Sequence, residues 1–221
     1  MNLSKSLEYF DPLNQVKGAI HIIGIGAMGS RIAELLARLG IRKINIWDMD
    51  TVEDKNVANQ IYTHKHIGMN KTDALEEILK EINPSITVVK HGEYTDEMLS
   101  GYIFLCVDSI EVRYKIAKKF EGSTYIKAMY DTRMRLEDAQ SYGALWSNSE
   151  QRKQFINSMD FSDDEAKEAT PVSACGTTLS VASTVVSTAA FTVANFINTI
   201  RKGECTSMIF TNAFDFSIIK F

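Results

Sequence analysis

The run Ile20-His-Ile-Ile-Gly24-Ile-Gly26-Ala-Met-Gly29-Ser30 constrains what this chain can fold into more tightly than any other stretch. A short apolar strand feeds three glycines, and an amphipathic stretch with Ile32, Leu35, Leu36 and Leu39 follows. A second apolar run, Ile44 to Trp47, then ends on Asp48. This is the order of a βαβ unit whose helix N-terminus faces an anion. Gly24 allows the tight turn, Gly26 lets backbone N–H groups approach a phosphate, and Gly29 lets the helix lie close on the strand. Asp48 stands 19 residues after Gly29, where a carboxylate accepts both hydroxyls of a ribose. Glycines at this spacing also mark plain strand-to-helix turns, but strand, helix and acid together supply the context of nucleotide binding.

With 221 residues, 45% of them hydrophobic, the chain can bury one α/β core, so residues 1–221 are read as a single domain. A net charge of −4 without blocks of like charge gives no field that would draw nucleic acid or an anionic membrane. The start, Met1 to Glu8, lacks the apolar centre of a signal peptide, and Cys106, Cys175 and Cys205 are widely spaced and odd in number. A reduced, cytoplasmic protein is expected. Gly176 to Ile200 is uncharged and long enough for a bilayer, yet its many Ser and Thr residues, with Asn195 and Asn198, fit a buried soluble helix instead. A helix so uniformly free of charge is expected to pair two copies in a homodimer.

Periodicity predicts strands at 18–24, 43–48, 86–90 and 102–107, with helices at 28–39, 70–82 and from Asp108-Ser109 to about Phe120. A short helix near 95–100 is also expected. A strand at 124–130 follows, then one or two more between Asp131 and Trp146. Met208 to Phe210 and Phe214 to Ile219 are expected to close the chain as strands. The alternation implies a Rossmann-like, largely parallel sheet with flanking helices and antiparallel strands toward the C-terminal end. Residues 147–172 hold few large apolar side chains and read as a mobile loop over the site.

The segment Asp48-Met-Asp50-Thr-Val52-Glu53-Asp-Lys-Asn56-Val-Ala-Asn59-Gln60, then Gly68-Met-Asn-Lys71, then Asp108-Ser-Ile-Glu-Val-Arg113, resembles the ThiF/MoeB/HesA family of adenylating enzymes related to ubiquitin activators. The family pattern is D-x-D-x-V-E-x-x-N-x-x-R-Q, then G-x-x-K, then a strand ending in Asp with an Arg beyond it. The likeness covers most of 17–130, taken as the nucleotide-binding core. Tyr130-Asp131-Thr-Arg133-Met134-Arg-Leu-Glu137 is similar to a D-x-R-M-x-x-E segment of small stand-alone relatives from phage and plasmid settings.

The resemblance implies ATP and Mg²⁺ as cofactors and activation of a carboxylate, at the C-terminus of a small ubiquitin-like protein or peptide. It also implies roles for particular residues. Gly24, Gly26 and Gly29 cradle the nucleotide, Asp48 holds the ribose with Asp50 beside it, and Asn56 and Lys71 contact phosphates. Asp108 binds the metal and places the attacking carboxylate. Each residue has a plainer reading. Asp108 could be only a helix N-cap, Lys71 a solvated cation, Asn56 a turn former, and Arg113 a structural ion-pair donor.

The family arginine of the R-Q pair is Asn59 here, which removes a phosphate-binding cation. Arg133, placed just past a strand expected to end near Tyr130, is the candidate catalytic replacement, against pairing with Asp131 or Glu137. Zinc is not expected, since no two cysteines are close in sequence. Cys175, before the uncharged helix, is read as packing more readily than as a nucleophile. The alternatives left open are a nucleotide-binding pseudoenzyme or partner subunit, and an NAD-dependent oxidoreductase, which leaves Asn56, Lys71 and Asp108 unexplained.

Overall fold

The computed structural model of the chain describes residues 1–168 and 179–221. The apolar runs form the parallel half of one sheet: β1 (Ile20–Ile23), β2 (Lys43–Trp47), β3 (Thr87–His91), β4 (Gly101–Leu105) and β5 (Ile126–Met134). Three antiparallel strands extend it: β6 (Asp138–Leu145), β7 (Met208–Asn212) and β8 (Ser217–Lys220). Among the described residues the order is β3-β2-β1-β4-β5-β6-β7-β8. β1 and β4 lie side by side near the middle and are buried along their whole length. That is why both read as unbroken apolar runs and do not alternate.

Seven α-helices are described: α1 (Pro12–Gln15), α2 (Ala27–Arg38), α3 (Lys71–Ile82), α4 (Ile110–Lys119), α5 (Ser149–Asn157), α6 (Asp163–Glu168) and α7 (Ala182–Lys202). Successive strand residues point to opposite faces, and the core divides accordingly. On one face Ile20, Ile22, Phe104 and Tyr130 meet Ile32 and Leu36 of α2, Leu75 of α3 and Phe196 of α7. On the other, Ile23, Ile103 and Leu105 meet Ile110 and Ile116 of α4 and Phe155 and Ile156 of α5.

Several expectations need correction. No helix forms at 95–100. β5 runs on to Met134 because pairing with β6 (Asp131 opposite Tyr142, Arg133 opposite Gln140) carries it past Tyr130, so Arg133 lies within a strand. The segment expected as a loop over 147–172 holds α5, capped by Asn148 and anchored by buried Phe155 and Ile156, and then α6. Its last residues, from 169, lie outside the described residues, as do Cys175 and Gly176. Phe214 to Phe216 form a turn, with Phe216 at φ 62°, and only Ser217–Lys220 pair as β8.

The helix expected from Gly176 begins at Ala182 among the described residues and continues to Lys202. It packs on α2 and on β5, β6 and β7 of its own chain. Its hydroxyls bond backward along the helix: Thr188 to the Thr184 carbonyl at 2.8 Å, Thr192 to Thr188 at 2.9 Å and Thr199 to Asn195 at 2.9 Å. The buried hydroxyls of this face are thus satisfied, whereas Ser183, Val186, Ala190 and Ala194 form an exposed outward face that is equally free of charge. Among the described residues no helix is long and apolar enough to cross a membrane.

Candidate functional site

β1 leaves the sheet centre at Gly24, whose φ of +86° is open to glycine and strained for other residues. A Cβ there would lie 2.7 Å from the backbone of Cys106 and Val107, just past β4. A Cβ at Gly29 would fall 2.0 Å from the Gly24 carbonyl, so this glycine is what lets α2 lie on the turn. Gly26 is different: only the Gln60 Nε2, at 4.0 Å, stands near its outer side. It is the N-cap of α2, with no side-chain cap and no acidic residue in the first turn. Among the described residues no side chain caps the first-turn amides at the positive end of the helix. The crevice lies at the carboxyl ends of β1 and β4, which lead to helices on opposite faces of the sheet, the usual ligand position in open α/β sheets.

Beside this turn Asp48 is held on both oxygens. Oδ2 accepts the Ile25 N–H at 2.9 Å, and Oδ1 accepts the Asp50 N–H at 2.9 Å. Lys71, buried at the start of α3, places its Nζ 2.7 Å from Asp50 Oδ2 and 3.8 Å from Asp48 Oδ1. The plain reading of Lys71 as a solvated cation is thereby overturned. Tyr62 donates its hydroxyl to the Ile25 carbonyl at 2.8 Å, and burial, then the charges of Asp48 and Asp50, push that hydroxyl well above the usual tyrosine range. Asn56 does act as a turn former, since its Oδ1 accepts the Glu53 N–H at 2.8 Å and the Glu53 side chain reciprocates. A shallow cleft of about 340 Å³ continues outward from Asp48 between Asn70, Thr72 and His91.

On the opposite side of the glycine turn, Asp108 proves not to be the cap of α4. Ser109 is, its Oγ accepting the Val112 N–H at 3.2 Å. Asp163 of α6 adds a second cap from 54 residues away, accepting the Ser109 hydroxyl at 2.7 Å and the Ile110 N–H at 2.6 Å. The carboxylate of Asp108 has no hydrogen bond or ion pair among the described residues. Arg113 braces the chain before it by donating to the Val107 carbonyl, and also bonds the Thr132 carbonyl and Asp131. Its structural reading is the one realised.

Arg133 is committed elsewhere. Its Nε meets Asp131 Oδ2 at 2.7 Å, its two other nitrogens bond the carbonyl and hydroxyl of Ser158 at 2.6 and 2.9 Å, and its guanidinium lies 4.4 Å over the Tyr142 ring. The pairing with Asp131 is the alternative that forms. Asn59, at the family-arginine position, donates to Ser180 Oγ at 2.7 Å. No group of three or more His, Cys, Asp or Glu side chains among the described residues could hold a metal by itself.

The glycine turn, Asp48, Asp50 and Lys71 are thus brought together, Asp108 follows the Val107 backbone that lies against Gly24, and Arg133 is held by Asp131 and Ser158. Sequence reading missed Asp163 and Tyr62. Nothing local marks Asp163, since its partner lies far along the chain.

The chain has counterparts among known proteins. The rat protein "Ubiquitin-like modifier-activating enzyme 5" is 33% identical over 117 residues, covering 44% of this chain and 29% of that protein. The rice protein of the same name (Oryza sativa subsp. japonica) is 43% identical over 74 residues, covering 34% of this chain and 18% of its own length. The chain therefore spans less than a third of these relatives. Among solved structures, E. coli MccB with ATP superposes at a TM-score of 0.74 with 16% identity, over 94% of this chain and 64% of that one. PaaA does so at 0.70 with 17% identity, over 94% of this chain and 64% of its own. At such identities the likeness is one of fold. The ThiF family model matches residues 12–217, the whole span from α1 into β8, and by that match this chain belongs to the ThiF family.

Proposed function

We propose that this protein activates a carboxylate with ATP. A carboxylate oxygen of the substrate attacks the α-phosphorus of ATP, the bond from that phosphorus to the bridging oxygen breaks, and pyrophosphate leaves from an acyl-adenylate. The observation that carries the reading is the N-terminus of α2 over Gly26, uncapped and acid-free among the described residues, with Asp48 on the Ile25 N–H and Asp108, unpartnered among those residues, just past the Val107 backbone that lies against Gly24. Asp48 suits the ribose hydroxyls, and Lys71, already gathered to Asp50, suits the phosphates. A Mg²⁺ ion, which is commonly held by one or two carboxylates plus substrate phosphates, fits Asp108 as its protein ligand. When bound it would neutralise charge building on the phosphates. Arg133, held by Asp131 and Ser158, is assigned to the wall of the site.

MccB has been solved with N-formylated MccA, and the curated relatives are named for activating ubiquitin-like modifiers. By analogy the substrate is a small protein or peptide ending in a free carboxylate. Cytoplasmic location accords with the buried, unpaired thiols of Cys106 and Cys205. A homodimer belongs to the same reading. The uncharged outward face of α7, where Ser183, Val186, Ala190 and Ala194 are exposed, is the surface we assign to it. Sedimentation at tens of micromolar should give the mass of two chains, and a monomer would count against it.

Calorimetry decides the nucleotide. ATP with Mg²⁺ is expected to bind more tightly than NAD. Micromolar binding of NAD without binding of ATP would remove the adenylation reading and restore the oxidoreductase one. The pseudoenzyme reading is favoured by Asn59, which spends its amide on Ser180. Binding of ATP without pyrophosphate exchange for any carboxyl-terminal peptide offered would support it.

A further inference from the structure

We propose that the side-chain amide of Gln60 completes the anion cradle over Gly26, and that Arg31 and Asn59 hold it in place. This rests on the ATP reading above and says how the site works without the family arginine. Gln60 is only 9% exposed, and its Oε1 is buried with no hydrogen-bond partner among the described residues. Leaving such a group unmet costs stability, so a fold that keeps it needs a reason. The other end of the same carboxamide supplies one. A Cβ built on Gly26 would have Nε2 as its one neighbour among the described residues, at 4.0 Å, where the first turn of α2 carries no side-chain cap. A carboxamide nitrogen carries two N–H donors, and a phosphate presents only acceptors.

The residue is fastened from several directions. Its N–H bonds the Asn56 carbonyl at 2.9 Å, and its carbonyl accepts from Arg31 at 3.2 Å. Arg31 is steadied in turn by Glu34 at 3.0 Å, and Glu34 also takes Arg38. Asn59 ties the preceding residue to Ser180, and the Ile61 N–H reaches Ser30 Oγ at 3.4 Å. With its backbone held in this way and its side chain nearly buried, the carboxamide loses little freedom when the ligand arrives. Gln60 would touch the ligand, whereas Arg31 and Asn59 are positioning residues.

The test uses the full chain, with calorimetry of ATP, adenosine and inorganic pyrophosphate, each with Mg²⁺, and a melt of each ligand-free variant. Gln60→Leu should weaken ATP and pyrophosphate about tenfold or more, as expected for losing a hydrogen bond to a charged group. Gln60→Glu should weaken both further, because a carboxylate would face the phosphates. Adenosine should bind each variant as it binds the wild type. Arg31→Met, which frees the Gln60 carbonyl, should weaken ATP about fivefold. Equal loss for adenosine and ATP would mean a structural role and overturn the proposal, as would wild-type affinity in Gln60→Glu. If Gln60→Glu does not fold, Gln60→Leu alone decides. If the wild type binds pyrophosphate but not ATP, the adenylation reading fails while the cradle is still read by pyrophosphate. If it binds neither, both fall.

Discussion

Asp108→Asn is expected to lower ATP–pyrophosphate exchange by about a hundredfold or more, with the melting temperature nearly unchanged. The two halves of that expectation have separate causes. The amide keeps the shape of the side chain but loses the charge that would hold a divalent cation and meet the phosphates. The helix that follows does not depend on Asp108, because Ser109 and Asp163 cap α4. Ser109→Ala supplies the contrast. It should cost about 1 kcal/mol of stability, the usual value of an N-cap, with far less effect on exchange. Thermal melts and exchange of radiolabelled pyrophosphate into ATP, with a peptide that supports turnover, measure both. An unchanged rate in Asp108→Asn would take this residue out of the reaction.

The largest structural effect is expected at Asp131. Its carboxylate is fully buried between two guanidinium groups, Arg113 on one oxygen and Arg133 on the other. Asp131→Ala removes the negative charge between them and leaves two largely buried cations without it. Breaking a buried pair by deleting one partner costs about 3–5 kcal/mol, a large share of a stability on the order of 5–15 kcal/mol. For a domain of this size the melting temperature should fall by about 6–20 °C. A fall of less than about 3 °C would show that the remaining bonds to Val107, Thr132 and Ser158 hold the arginines without it. Because Arg113 grips the Val107 carbonyl, the loss should also loosen the chain on which Asp108 stands.

What could be read from the sequence is what depends on neighbours along the chain. The glycine turn, α2 and the acid after β2 are one continuous local pattern, and Asp48 and the glycines stand where that pattern puts them. Lys71 was legible for the same reason, though its burial against Asp50 was not, since a lysine before an amphipathic helix looks the same whether solvated or enclosed. The extension of β5 escaped because it is set by β6, an antiparallel partner, and not by its own residues. That extension moved Arg133 from the rim of the site into a strand and onto Ser158. α5 was read as loop because only Phe155 and Ile156 of its residues are buried, too few to give a period. The uncharged helix was rightly expected to be buried, but only one of its faces packs on its own chain, and the face carrying Val186 stays exposed.

The strand order has a consequence for how the site comes into being. β1 pairs on one side with β2, close in sequence, and on the other with β4, where Ile20 lies opposite Tyr102. Closing so long a loop is slow compared with zipping the hairpin of β5 and β6. While the ribosome is still making the chain, the glycine turn emerges early and then waits, one flank of β1 unpaired, until β4 arrives. A ligand that touches both Asp48 and Asp108 would find its two contacts together only after that meeting. Its binding would therefore act as a late lock on the slow half of the fold, and newly made protein that missed the closure would be left with the bare edge of β1.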